Sequence, residues 1–262
     1  MTPLPIFQVD AFADKPFTGN PAAVMPLDHW LPDETMQAIA AENNLAETAF
    51  TVPGERDDAD YDLRWFTPAV EITLCGHATI ASAHILLKGE AIRFATRSGI
   101  LTVTRDHDDP SLLKLDMPAA PPEPAELPEL LGALGVEGET FISRTGNGNA
   151  IVLLTDEAAV RAVAPDFIAL RKLPYLVSIT APGDAQDVAS RVFAAYHGVD
   201  EDPVTGSAHT ALIPFWAARL GRHRFAALQA SKRTGLIDCE LKGDRVILGG
   251  RAITVIEGYF QI

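Results

Sequence analysis

The sequence predicts an α+β chain of two homologous, strand-rich halves, each wrapped around one buried helix and related by a pseudo-two-fold axis. Three observations predict it: a phrase-by-phrase internal repeat, short runs of β-branched and aromatic residues in both halves, and two helical phrases apolar nearly all round.

The repeat comes first because it sets the domain count. "TGNPAAVMPLD" from Thr18 lies over "NGNAIVLLTDE" from Asn147, an offset of 129 (147 − 18). "TVPGERDD" from Thr51 lies over "TAPGDAQD" from Thr180 at the same offset of 129 (180 − 51). "CGHATIASA" from Cys75 lies over "TGSAHTALI" from Thr205 at 130 (205 − 75), and "TRSGILTV" from Thr96 over "KRTGLIDC" from Lys232 at 136 (232 − 96). Small residues match cheaply, but an ordered series with so little drift reads as duplication. The halves are placed at residues 1–117 and 129–251. Between them, 118–128 is a proline-rich connector, because prolines at 118, 121, 122, 124 and 128 remove amide donors and favour an extended chain.

Within each half, segments such as "PAAVMPL", "ETAFTVP", "DLRWFTP" and "ILTVTRD" read as strands. "PDETMQAIAAEN" reads as a surface helix, with acids in its first turn and Met36, Ile39 and Ala40 on one stripe. "GHATIASAHILLKG" and "GSAHTALIPFWAARLG" read as enclosed helices, each closing at a glycine suited to a left-handed cap, with Pro214 expected to kink the second.

Composition narrows the function classes. Of 262 residues, 47% are hydrophobic, enough for one large core or two modest ones. The formal net charge of −14, without a long Lys/Arg run, argues against nucleic acid as a partner. The N-terminal stretch lacks a signal-peptide pattern and no apolar stretch is long enough to span a bilayer, so a cytoplasmic protein with no membrane partner is expected. Cys75 and Cys239 form neither a zinc pattern nor a disulfide framework, and the histidines show no HExxH, so no metal site is expected. "TGNGNA" (145–150) contains Gly-x-Gly but leads into a strand-like run, so no nicotinamide or flavin site is expected; nor is there a G-x-S-x-G nucleophile elbow.

The glycine-led start of a buried helix presents unpaired amides and the positive end of a dipole, which suits an anion. If the halves face one another, Gly76-His77 and Gly206-Ser207 would serve one cleft and hold a substrate carboxylate. At each start the same residues also read as simple helix caps.

A Cys-Gly step opening a buried helix in a duplicated chain resembles the diaminopimelate epimerase fold, where a cysteine from each half acts as a base. Here the mate of Cys75 is Thr205, whose hydroxyl does not ionise near neutral pH, so a two-thiol racemase is disfavoured. The phrases "VDAFADKPFTGNPAAV", "NNLAETAF", "LCGHAT" and "DEDPVTGSAH" resemble the phenazine-biosynthesis PhzF family over nearly the whole chain. That resemblance implies the duplicated epimerase-like fold, with a last strand, about 252–262, returning to the first domain. It implies a cofactor-free isomerisation with Glu47 as acid/base, supported by His77, Asp202 and Ser207, and a homodimer. Gly76, Gly206, Asn20 and Cys75 are expected to line the substrate pocket.

The chemistry fits these residue types. Moving a proton between carbons of a conjugated acid needs a group that takes and returns it, in a dry pocket with donors at the developing charge. Glu47, between Leu45-Ala46 and "TAFTV", is expected to be partly buried and so tuned toward this task, with Asp202 holding the tautomer of His77. Cys75 reads as a relic of a thiol pair. The substrate expected is a small carboxylated, cyclic and unsaturated metabolite. Two other readings stay open on the sequence: a racemase or epimerase using Glu47 or Cys75 as one base, and a non-catalytic metabolite-binding protein.

Overall fold

The computed structural model describes residues 3–145 and 148–262, so Gly146 and Asn147 of the "TGNGNA" phrase lie outside the described residues. The chain divides into two compact units, Met1–Asp116 with Gly249–Ile262, and Met117–Leu248.

In the first unit the chain runs β1 (Pro3–Ala11), β2 (Asn20–Pro26), α1 (Asp33–Asn43), β3 (Glu47–Pro53), β4 (Tyr61–Phe66), β5 (Glu71–Ile72), α2 (Gly76–Leu86), β6 (Ala91–Thr96), β7 (Gly99–Arg105) and β8 (Leu113–Pro118). The second unit continues with β9 (Glu123–Pro124), α3 (Pro128–Leu134), β10 (Glu139–Ile142), β11 (Asn149–Leu153), α4 (Glu157–Ala162), α5 (Phe167–Leu170), β12 (Leu176–Pro182), β13 (Val188–Ala194), β14 (Val199–Asp202), α6 (Gly206–Leu220), β15 (Arg224–Gln229), β16 (Gly235–Lys242) and β17 (Arg245–Gly250). The last strand, β18 (Ala252–Gln261), pairs antiparallel with β1 along its whole length.

The duplication is visible in the strand pairing. From β1 to β7 the partners are β1–β2 antiparallel, β2–β3 parallel, β3–β4 antiparallel, β4–β6 parallel and β6–β7 antiparallel. The series β10–β11, β11–β12, β12–β13, β13–β15 and β15–β16 repeats those senses in the same order. Each parallel step needs a crossover. In the first unit α1 and α2 supply the two crossovers; in the second, α4 with α5 supplies one and α6 the other.

The offset is less constant than the letters suggest. Leu27 N–H donates to the Thr51 carbonyl as Leu154 N–H does to that of Thr180, so β2 and β11 are related by 127 while β3 and β12 are related by 129. The two residues of difference appear as a seven-residue β2 against a five-residue β11. A shift of two leaves every side chain on its own face of the sheet, which is why it is tolerated.

Both central helices are enclosed as their all-round apolar sequences require. Every residue of α2 from Gly76 to Ala83 is buried, and α6 is buried from Ala208 to Ala217. The helix continues through Pro214. The helix ends differ from expectation: α6 does close on Gly221 at φ 62°, but α2 ends at Leu87 in extended conformation, with Gly89 beyond it. Leu87 is buried, and an extended exit lets that side chain enter the core where a left-handed turn would not.

The proline-rich segment also differs from a free connector. Glu123 and Pro124 pair with Ile142 and Phe141 of β10, and Pro128 opens α3. Proline is compatible with an edge strand and with the first turn of a helix, so prolines that forbid a central strand still allow this segment to pack. Around α1 the core gathers Met25, Met36, Ile39, Phe50 and Phe66; in the second unit Leu130, Val160, Ile179 and Phe193 form its counterpart. Among the described residues no helix is long and apolar enough to cross a membrane.

Candidate active site

In the first unit a carboxylate, a thiol and an imidazole, those of Glu47, Cys75 and His77, gather at the head of α2. Cys75 is the N-cap residue, in extended conformation, and makes no capping hydrogen bond, so the first-turn amides of α2 receive no side-chain acceptor from it. One turn on, the Thr79 hydroxyl donates to the Cys75 carbonyl at 2.5 Å, bracing the entry of the chain. His77 follows, with its side chain 5% exposed.

Glu47 reaches His77 from β3. Asn44 ends α1 in the left-handed region, the chain turns through Leu45 and Ala46, and Glu47 is the first residue of the strand, paired with Ala22 of β2. Its Oε2 lies 2.9 Å from His77 Nε2, with the Glu47 side chain 15% exposed. The contact is close without being aligned as a hydrogen bond, and both atoms are buried. It is therefore read as an ion pair rather than as a fixed N–H···O bond.

The other edge of the imidazole faces Asn20 and Cys75. Asn20 Nδ2 is 3.2 Å and Cys75 Sγ 3.5 Å from His77 Nδ1. Asn20 is completely buried at the start of β2, just after Gly19, whose φ of 68° and 2.2 Å approach of a notional Cβ to the Ala11 carbonyl leave room for no other residue. In the imidazolium both nitrogens carry protons, Nε2 facing Glu47 in the ion pair and Nδ1 facing the Cys75 sulfur. In the neutral ring carrying its proton on Nε2, Nδ1 accepts from the Asn20 amide.

Within the first unit, then, both ring nitrogens of His77 have polar neighbours, Glu47 at Nε2 and Asn20 with Cys75 at Nδ1. The Asn20 contact spans 57 positions of sequence, so no local signal announces it.

The electrostatics follow from burial and proximity. Burial by itself pushes the His77 imidazole down, yet Cys75 and Glu47 beside it carry the net shift well above the ordinary histidine value. Burial, with Glu47 adding to it, pushes the Cys75 thiol up against the opposing pull of His77. A protonated thiol carries no charge, so with Cys75 in that form Glu47 is the group beside the ring that favours its protonation.

Glu47, Cys75 and His77 offer ligand atoms within 4.8 Å of one another. Glu47 faces Nε2 and Cys75 faces Nδ1, on different edges of one ring. A single ion would take one ring nitrogen, so these residues offer three protein donors, one from each.

The second unit builds the same helix start from other groups. Thr205 is the N-cap of α6, again without a capping bond, and His209 Nδ1 donates to the Thr205 carbonyl at 2.9 Å, in the place where Thr79 serves Cys75. Asn149 Nδ2 donates to the carbonyl of half-buried Ser207 at 3.2 Å. Asp202, at the end of β14, accepts the Thr205 hydroxyl on Oδ2. The place of Glu47 is taken by Leu176, the first residue of β12. His209 is entirely buried, and that burial lowers its pKa to about 4, so it is neutral where His77 is charged. Gln229, which ties Asp202 to Thr205 and is itself completely buried, carries no motif that singles it out in the sequence, whereas His209 closes the phrase "DEDPVTGSAH".

Comparison with known proteins agrees with these observations. The chain is 51% identical to an uncharacterised isomerase of Pseudomonas aeruginosa, over 99% of both chains. A crystal structure of a PhzF-family protein from Enterococcus faecalis superposes with a TM-score of 0.92 at 43% identity, covering 100% of each chain. A probable proline racemase from Agrobacterium radiobacter shares the fold alone, with a TM-score of 0.66 at 13% identity over 99% of this chain and 92% of that one. The α+β, epimerase-like fold is thus shared with both groups, and the family model for phenazine biosynthesis-like proteins matches residues 9–258. The chain belongs to the phenazine biosynthesis-like family, PhzC-PhzF.

Proposed function

We propose that this protein is an isomerase that moves a proton between carbons of a small carboxylated, cyclic unsaturated metabolite, with Glu47 taking the proton from one carbon and returning it to another. The observation that carries the reading is the contact between Glu47 Oε2 and His77 Nε2, 2.9 Å apart and largely shielded from water. A carboxylate so placed can act as base and then, once protonated, as acid. Removing a proton from carbon in a conjugated acid leaves charge delocalised toward the carboxyl group. The His77 imidazolium and the first-turn amides of α2 are the groups of the first unit suited to stabilise it. Cys75 does not enter this scheme, because its raised pKa keeps it a thiol near neutral pH. From the second unit, the family resemblance assigns Asp202 to assist the proton transfer with His77 and Ser207 to bind the substrate carboxylate. The proposed chemistry is a proton transfer without net oxidation, and Glu47 and His77 supply its acid and base without a cofactor.

The test is a panel of small cyclic carboxylates incubated with the protein in deuterated water and followed by NMR. Isomerisation labels a carbon other than the one deprotonated, whereas racemisation labels and inverts one carbon. The proposal expects migration that disappears in Glu47→Gln. Exchange that survives Glu47→Gln, or ligand binding without exchange at any carbon, would sink it.

A further inference from the structure

At the head of α6 all the polar groups of Thr205 are engaged. Its N–H donates to Gln229 Oε1 at 2.8 Å, its carbonyl accepts from His209 Nδ1 at 2.9 Å, and its hydroxyl donates to Asp202 Oδ2 at 2.5 Å. Gln229 Nε2 in turn donates to the Asp202 carbonyl at 2.8 Å and to Thr205 Oγ1 at 3.2 Å. These contacts fix the direction of the chain of bonds. The backbone N–H of Thr205 needs an acceptor, so the glutamine oxygen must face it and the glutamine nitrogen must face the hydroxyl. The hydroxyl accepts from the glutamine nitrogen and donates its proton to Asp202, which as a carboxylate only accepts.

On β14 Asp200 pairs with Arg171 at 2.7 Å and Glu201 with Arg191 at 2.7 Å, and Asp202 receives the Thr205 hydroxyl on Oδ2. A hydroxyl bonded to a carboxylate makes a short, charge-assisted hydrogen bond that favours the ionised form and one rotamer. A cysteine at 205, like its counterpart Cys75, would offer only a weak S–H donor on a longer bond.

We propose that Thr205 and Gln229 are positioning residues that hold the Asp202 carboxylate ionised and in one orientation. The exchange of cysteine for threonine between the two halves thus replaces a thiol with a carboxylate and its holder. The proposal rests on the reading of Asp202 as a group that serves the reaction. Its test needs no substrate: ¹³C-carboxyl aspartate labelling of the full chain, with the Asp202 signal assigned by its loss in Asp202→Asn, followed through a pH titration. Loss of a charge-assisted hydrogen bond to the ionised form should raise the Asp202 midpoint by about one pH unit in Thr205→Val. Thr205→Ser should restore it. Where valine disturbs folding, Thr205→Ala carries the same expectation. A folded valine or alanine variant that titrates like the unmutated protein would overturn the proposal. So would a serine variant that titrates like the valine one. Either result would leave Glu47-dependent exchange untouched, and a failed search for exchange would leave the titration readable.

Discussion

The two units share one succession of strand pairings and one enclosed helix, yet the two helix heads hold opposite chemistry. At α2 a carboxylate, an imidazole and a thiol surround one another; at α6 the corresponding places hold leucine, serine and threonine. Each unit buries a histidine near its helix start, His77 held charged by an adjacent acid and His209 held neutral by burial. The difference teaches that duplication preserved the backbone amides at both sites while the titratable groups were free to diverge. Helix N-termini arise from backbone geometry and survive side-chain change; proton transfer does not.

Four expected outcomes break or sharpen that contrast. Glu47→Gln should lower proton exchange on a competent substrate by about 10²–10⁴-fold, the range of a general acid/base, whereas Leu176→Ala in the equivalent place should alter stability rather than the chemical step. Isotope-exchange rates set against urea unfolding separate the two effects.

His209 should make the protein acid-sensitive. Its folded pKa, about 4, lies below the ordinary 6.5, so its stabilising contribution is present above pH 6.5 and is lost as pH falls toward 4. The difference corresponds to about 3 kcal/mol. Unfolding free energies measured between those pH values should fall less steeply in His209→Gln than in the unmutated protein. Parallel slopes would remove the assignment.

His77 should act in the opposite direction. Its folded pKa is raised, so the contribution of its ion pair is complete below 6.5 and is lost as pH rises through the raised value. Between pH 6.5 and 9, before thiols ionise from their ordinary value of 9.0, the loss of stability with rising pH should flatten in His77→Asn. Cys75→Ala should have the least effect, leaving exchange within a few-fold of the unmutated rate, since a buried, protonated thiol is not a base near neutral pH. A loss as large as that of Glu47→Gln would return Cys75 to the reaction.

Much of this was legible in the residues themselves. The repeat, the strand-rich halves, the surface helix with Met36, Ile39 and Ala40 inward, and the two enclosed helices follow from letter matching and hydrophobic periodicity, which are local properties. Glu47, His77, Asp202 and Ser207 stand inside phrases of the family. The helix stop at Leu87, the packing of Glu123 and Pro124 as a strand, and the different offsets of β2 and β3 were not legible, because each depends on what a neighbouring strand or core offers.

The sequence by itself determined that the chain is built twice and that its acid, imidazole and thiol lie in the first half, since composition and order are properties of the chain alone. Only the tertiary structure decided which groups meet: that Asn20 and Glu47 take the two edges of His77, and that Gln229 directs the Thr205 hydroxyl to Asp202. Apart from the Thr205–Asp202 pair, three positions apart, those contacts join residues tens of positions apart in the chain. Their strength depends on distance and burial, which no run of letters contains.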